Sequence, residues 1–291
     1  MPRIGISFWK PRMGQGGFFD MQEVFGELAG KTAQQRMLRR GPEYTDYLVS
    51  AQIENGEVIG SAARIRMENL PERMNAATGE VGQLNLQVQE GLAEEAFFLY
   101  DSGLQVLLLQ QNNFFRSSSF EHLIGDLAEL DEFWLEPVIR KDAWERFGKM
   151  DRIASIDFKL TDLSDRPDIG TTMQSLGEML DHANSDLNAI TAEVRLGVGR
   201  RRNEGLARGA IRNLLRMLGR GERVSTLTVR GNLLDTGKSE EIDFLRERLV
   251  FSGEVEYSGR RLDGQQCQVS LRNALHEQTT YLSSLVRPHA T

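Results

Sequence analysis

Residues 45–67 read TDYLVSAQIENGEVIGSAARIRM, and their pattern indicates how the first half of the chain folds. Thr45–Ile53 and Val58–Met67 alternate imperfectly between apolar and polar residues, a pattern typical of half-buried β-strands. Between them lies Asn55-Gly56, a dipeptide that favours the left-handed backbone of a two-residue hairpin turn. The stretch therefore predicts a β-hairpin.

A second hairpin is predicted where Glu95–Tyr100 and Leu104–Gln110 flank a turn at Asp101-Ser102-Gly103. Both segments are almost continuously apolar, which is typical of strands buried on both faces. The first strand of the chain is predicted at Ile4–Trp9. The N-terminal part is therefore expected to form a mixed β-sheet built around hairpins.

The segment Leu163–Gly170 clusters Ser, Asp, Pro and Gly and indicates a linker. We place the domain boundary there, with one domain over residues 1–165 and a second over residues 166–291. Helices and strands alternate beyond the linker, which favours a smaller α/β lobe. The predicted fold class is therefore α+β, with a mixed-sheet N-terminal lobe and an α/β C-terminal lobe. The elements predicted in the second lobe are helices at Thr171–Ala183, Glu204–Leu218, Ser239–Leu249 and Gln265–Leu285, and strands at Ala192–Val198, Arg223–Val229 and Gly253–Tyr257.

The composition excludes several classes of protein. With 40% apolar and 26% charged residues, the 291-residue chain has the composition of a globular protein, not of a disordered or collagen-like one. Its single cysteine, Cys267, cannot form an intramolecular disulfide, which suits a reducing compartment. The longest apolar stretches fall far below the roughly 20 residues of a bilayer span. We therefore expect a cytoplasmic protein without direct membrane insertion.

Charge is distributed unevenly along the chain. Residues 191–291 contain 17 Arg and Lys against 12 Asp and Glu, a net charge of +5, which leaves residues 1–190 with a net charge of −12. Binding to a polyanion depends on local patches and not on the overall balance. The net acidic charge of −7 therefore does not exclude a nucleic-acid partner.

The basic excess is concentrated between Arg195 and Arg223, which contain nine arginines and no lysine. On a helix, arginines that recur every four residues share one face, while the apolar residues between them face elsewhere. The candidate nucleic-acid-binding residues are the arginines of this helix and those of the turn before it. They are Arg200, Arg201, Arg202, Arg208, Arg212, Arg216 and Arg220.

A guanidinium is a planar fork of donors that stays charged near neutral pH, and it suits phosphate. Nucleic acid, above all double-stranded DNA, is therefore the partner we expect. Two alternatives remain open. The arginines pair with carboxylates of the same protein or of another subunit or acidic partner, or they contact an anionic membrane surface.

No catalytic residue, metal site or cofactor site is predicted. The four histidines are widely separated, and His182, near Asp181 and Asp186, is better explained as a residue at the end of a helix. Cys267 has no histidine nearby in the sequence, so it is expected to be an unreactive thiol. Carboxylate pairs such as Glu240-Glu241 leave one enzymatic alternative, a divergent metal-dependent nuclease whose carboxylates converge only in the fold.

Three segments in the middle of the chain carry a resemblance to a known group of proteins. They are Ile65–Pro71 (IRMENLP), Glu94–Asp101 (EEAFFLYD), and Gln110-Gln111-Asn112 leading into Ser117-Ser118-Ser119. An Arg-rich strand ending in Pro, an apolar strand ending in Tyr-Asp and a Gln/Asn-rich strand end before a helix resemble bacterial and prophage proteins related to the phage-exclusion sensor RexA and the defence protein KwaB. The resemblance implies a cytoplasmic DNA-binding sensor in antiphage defence, a homodimer, and a second defence protein at the membrane. The resemblance assigns no functional role to any individual residue of this chain.

The sequence as a whole favours a non-enzymatic nucleic-acid-binding protein. Its C-terminal lobe is expected to present the arginine surface, and its N-terminal lobe to recognise a partner or form a homodimer.

Overall fold

A computed structural model of the chain describes residues 2–14, 17–163, 174–199, 204–219, 224–259 and 261–286. The strands, in chain order, are β1 (Arg3–Met13), β2 (Gly17–Phe18), β3 (Met37–Arg40), β4 (Tyr44–Glu54), β5 (Glu57–Arg66), β6 (Arg73–Met74), β7 (Val81–Gly82), β8 (Leu92–Asp101), β9 (Val106–Gln110), β10 (Phe133–Pro137), β11 (Met150–Leu160), β12 (Ala192–Gly197), β13 (Val224–Leu233), β14 (Ser239–Asp243), β15 (Val250–Glu254), β16 (Tyr257–Ser258) and β17 (Arg261–Leu262). The helices are α1 (Met21–Gly30), a short 3-10 helix (Gln34–Arg36), α2 (Ser117–Leu127), α3 (Lys141–Lys149), α4 (Gln174–Ser185), α5 (Arg208–Gly219) and α6 (Gly264–Leu285). The predicted α+β class is confirmed.

The chain divides into two units. The first contains residues up to Leu135 together with those from Val250 onward, and the second contains Glu136–Leu249. This division differs from the predicted boundary at residue 165, because β11 pairs with β13 and so belongs with the later strands. The C-terminal segment returns to the first unit, where β15 pairs with β1. Of the predicted linker, Leu163 is buried, and residues 164–170 lie outside the described part.

The sheet of the first unit has the strand order β10-β1-β9-β8-β5-β4-β3, with β2 and β15 also paired to β1. Both predicted hairpins are confirmed, since β4 pairs antiparallel with β5 and β8 pairs antiparallel with β9. At the first turn, Asn55 and Gly56 have φ angles of 52° and 85°, as a type I′ turn requires. The turn residues thus set the direction in which β5 returns along β4.

Helices cover both faces of this sheet. On one face, the rings of Phe25 and Phe98 stack at 5.1 Å, and Phe120 of α2 meets Phe98 edge-on at 5.1 Å. On the other, α6 packs against β8, β9 and β15, and its Cys267 and Leu271 are buried. Apolar burial on both faces explains why the strands of the second hairpin are almost continuously apolar.

The second unit combines helices with an antiparallel sheet of order β12-β11-β13-β14. Its core includes Phe147 of α3, Leu180 of α4, Leu214 of α5 and Ile156 of β11. The helix predicted at Ser239–Leu249 is wrong, because residues 239–243 form β14 and pair with β13. Ile242 is buried in the core while its neighbour Glu241 is exposed, so this segment alternates as a strand does once β13 is beside it.

Candidate nucleic-acid interface

Helix α5 contains the centre of the predicted arginine surface. It begins at Arg208, four residues later than predicted, and ends at Gly219. The apolar side of the helix faces the core of the second unit, where Ile211, Leu214, Leu215 and Leu218 are buried. Arg208, Arg212 and Arg216 remain exposed beside this buried side. The four-residue spacing therefore produces the cationic face that the sequence predicts.

Arg208 joins the start of α5 to the end of α3. Its guanidinium donates hydrogen bonds to the carbonyl oxygen of Gly148, at 2.9 Å, and to that of Met150. The last carbonyls of a helix lack partners within the helix, and a cationic donor placed there also favours the helix dipole. Arg208 thus stabilises α3 while its side chain stays at an exposed position.

Arg212 lies over an aromatic ring. The centre of its guanidinium is 5.6 Å from the centroid of the Trp144 ring, a cation–π distance. The Trp144 ring in turn packs against Phe147 and Phe244, both of which are buried, with distances between ring centroids of 5.7 Å and 5.2 Å. Arg212 therefore stacks on an indole that two buried phenylalanines contact.

Arg216 forms an ion pair. Its Nε is 3.2 Å from Oε1 of Glu136, whose side chain is only 13% exposed, whereas the Arg216 side chain is 44% exposed. The Glu136 carboxylate orients the guanidinium, and much of the Arg216 side chain remains accessible to solvent. The three arginines are thus ordered by three different partners, namely backbone carbonyls, an aromatic ring and a carboxylate.

The structure brings together three of the seven predicted binding residues, Arg208, Arg212 and Arg216. The other four, Arg200, Arg201, Arg202 and Arg220, lie outside the described residues.

Sequence reasoning missed the partners Trp144 and Glu136. Trp144 could have been noticed beside the apolar pair Ala143 and Phe147, at the flank of the buried face of α3. No sequence signal, however, indicates that Arg208 and Arg212 of α5 contact residues of α3.

A second arginine cluster, in the first unit, was also missed. Arg64 contacts Asp46 through two hydrogen bonds, from Nε to Oδ1 at 2.8 Å and from a terminal nitrogen to Oδ2 at 3.0 Å. Arg40 lies 3.4 Å from the same carboxylate and 2.7 Å from Asp126. The Asp46 side chain is completely buried, so these arginines neutralise an internal charge. Arg40 and Arg64, whose side chains are 30% and 25% exposed, are therefore engaged with carboxylates of their own unit.

The residues considered for catalysis are occupied in other ways. At the C-terminal end of α4, His182 and Asp186 form an exposed pair at 3.0 Å. The hydrogen bonds that Asp186 accepts from Ser185 and His182 lower its pKa. Glu240 pairs with Arg146 at 3.2 Å. Burial raises the pKa of the Cys267 thiol to about 11, which disfavours the nucleophilic thiolate.

The described residues contain no group of three or more His, Cys, Asp or Glu side chains arranged to hold a metal ion. In the same part of the chain, no helix combines the length and apolar character needed to cross a bilayer.

Residues 16–278 match the DUF6731 family, which is described as a family of unknown function. The chain belongs to this family. The match covers both units, from the end of β1 into α6. No curated protein matches the chain.

Proposed function

We propose that this DUF6731 protein binds nucleic acid, in the first place double-stranded DNA, through the exposed face of α5, and that it does so without catalysing a reaction. The observation that carries the proposal is that Arg208, Arg212 and Arg216 share one exposed helix face and are each held in place by a partner.

Anchored guanidiniums suit phosphate for an energetic reason. Ordering a free arginine side chain on binding costs roughly 0.5–1.5 kcal/mol of conformational entropy. Contacts to Trp144 and Glu136 already restrict Arg212 and Arg216, so part of that cost is met during folding. Binding would proceed by neutralising phosphates and releasing counterions, and its affinity would fall steeply with salt and depend little on base sequence.

The biological setting is part of the proposal and rests on the sequence resemblance given above. We propose a cytoplasmic sensor in bacterial or prophage antiphage defence, acting as a homodimer with a second defence protein at the membrane. In this reading α5 supplies the contact to DNA.

A second candidate function is docking on an acidic protein partner. It is favoured by the observation that Arg216 already binds a carboxylate, that of Glu136. The two functions differ in their ligand, so one set of arginine variants tests both.

The experiment measures binding of the purified protein to labelled duplex DNA, single-stranded DNA and RNA of equal length across a salt series. A parallel sample with magnesium detects cleavage, the readout for the nuclease alternative. The test variant is Arg212→Glu/Arg216→Glu, which keeps Arg208 because its hydrogen bonds support α3. The matched control is Arg195→Glu/Arg246→Glu, which reverses two exposed arginines of the same unit outside α5.

We expect salt-sensitive binding that the α5 variant abolishes and the control retains, with no cleavage. Retained binding by a folded α5 variant would overturn the proposal. No binding even at low salt, together with capture of an acidic protein that the α5 variant loses, would establish the second candidate instead.

A further inference from the structure

The segment between β5 and β8, residues 67–91, leaves the sheet and is defined here as the arm. Its only strands are β6 and β7, of two residues each, and residues 71–80 are all exposed. Several of its apolar side chains are exposed: Met74 is 69%, Val81 52% and Val88 100% accessible. A connection of this length without substantial secondary structure is uncommon in a compact domain and usually has a function.

The second half of the arm has the pattern of a strand. Residues 83–89 read QLNLQVQ, in which Leu84, Leu86 and Val88 alternate with Asn and Gln. Strict alternation over this length is typical of a half-buried β-strand. Within the described part of the chain, these residues pair with no strand. Their backbone forms local turns, in which Leu86 N donates to Leu84 O and Glu90 N donates to Gln87 O, each at 2.9 Å. The segment therefore has the sequence of a strand and lacks a neighbouring strand.

Strand β3, in the same unit, has an edge that could pair with residues 83–89 of the arm. It is the last strand at its end of the sheet, and among the described residues it pairs only with β4. In an antiparallel pair, alternate residues point their N–H and C=O groups away from the partner, so the outer edge of β3 is a template for another strand. Met37, at its start, is 40% exposed.

Charge favours pairing of the arm with β3 over pairing of two arms. The arm carries four glutamates against one arginine, a net charge of −3. Residues 34–40, which lead into and form β3, carry Arg36 and Arg39, as well as Arg40, which is paired with Asp46 and Asp126, and they contain no acidic residue. Two arms would repel each other, whereas an acidic arm and a basic edge attract.

We propose that residues 83–89 of one copy add as an extra strand to β3 of a second copy. The occupant of the edge is a second copy because the chain itself carries both complementary parts. Exchange of two arms across a two-fold axis satisfies both edges at once, as a symmetric dimer requires. Main-chain hydrogen bonds would supply affinity, and Leu84, Leu86 and Val88 would supply the apolar face, as in other strand additions. The inference is independent of α5 and its ligand.

The test is sedimentation equilibrium of the full chain over a wide concentration range, for wild type and Val88→Asp. Since Val88 is completely exposed, its replacement removes no packing from the single chain, and at concentrations where both proteins are monomeric the melting temperature should be unchanged. Met74→Asp is the matched control, because it adds the same charge at an exposed apolar position of the arm outside residues 83–89.

We expect a concentration-dependent dimer for wild type and Met74→Asp. For Val88→Asp we expect a dimer weakened by about a hundredfold or more, because the two-fold exchange buries one valine from each copy and burial of each is worth about tenfold or more in affinity. Arg39→Glu should weaken the dimer too, and adding Glu90→Arg should restore part of the affinity. A wild-type monomer at all concentrations would overturn the proposal. So would a dimer that Val88→Asp leaves intact, or one that Met74→Asp weakens equally.

Discussion

The two arginine clusters of this protein use the same side chain in opposite ways. In the first unit, Arg64 and Arg40 surround Asp46, whose side chain is completely buried. In the second unit, Arg208, Arg212 and Arg216 stay exposed, and the one carboxylate among their partners, Glu136, is itself 13% exposed. The first cluster neutralises a charge that cannot reach water, whereas the second keeps its charge at the surface. The clusters differ in the exposure of the arginines themselves, since Arg64 and Arg40 are 25% and 30% exposed and Arg216 is 44% exposed.

The largest effect should come from removing the buried charge. Asp46→Ala leaves Arg64 and Arg40 without their shared partner, and loss of one member of a buried ion pair costs about 3–5 kcal/mol. Urea unfolding measures the loss. Asp126→Ala is the control, because Asp126 binds the same Arg40 but is 51% exposed, and it should cost less than about 1 kcal/mol. Similar losses for the two variants would contradict the comparison.

A smaller effect on stability is expected for Arg208, which is exposed but also supports the end of α3. Arg208→Ala removes hydrogen bonds to the Gly148 and Met150 carbonyls at the end of α3, and we expect a loss of about 1–2 kcal/mol in the free energy of unfolding. Thermal or urea unfolding checks it. If Arg208→Ala is no more destabilising than Arg212→Ala, Arg208 does not support α3.

Much of the fold could be predicted from the sequence because local signals specify it. The Asn55-Gly56 turn, the apolar second hairpin and the helix at the C terminus all appear where they are predicted. The helix predicted at Ser239–Leu249 is wrong, and the observed units divide the chain elsewhere than at residue 165, for a shared reason. Both depend on which distant strands pair with β13, and no local pattern encodes that.

The buried cluster shows how far register can be predicted. A two-residue turn at Asn55-Gly56 places Glu54 opposite Glu57 and, continued without change, would place Asp46 opposite Ile65. A β-bulge between Leu48 and Ser50 shifts the register by one residue and places Asp46 opposite Arg64 instead. The sequence contains both residues of the pair but gives no sign of the bulge.

The α5 surface was easier to predict, since it depends on a four-residue spacing within one helix. Arg208, Arg212 and Arg216 share the exposed face as expected, while Trp144 and Glu136 come from elements whose packing the sequence does not reveal.

The smallest effect on stability should come from the outer part of α5. Arg216→Gln removes an ion pair with a 44% exposed guanidinium, and we expect at most about 1 kcal/mol. A double-mutant cycle with Glu136→Gln isolates the coupling between the two side chains. A coupling as large as the loss caused by Asp46→Ala would show that Arg216 is structural, and would remove the difference between the clusters.

The most direct test of the central claim is the salt dependence of duplex DNA binding, measured for wild type and for Arg212→Gln/Arg216→Gln. Each phosphate neutralised contributes about −0.9 to the slope of log affinity against log salt concentration. If both arginines contact phosphates, the variant should bind more weakly at low salt, and its slope should be shallower by about 2. An unchanged affinity and slope in a variant with wild-type stability would contradict the assignment of α5 as a nucleic-acid interface.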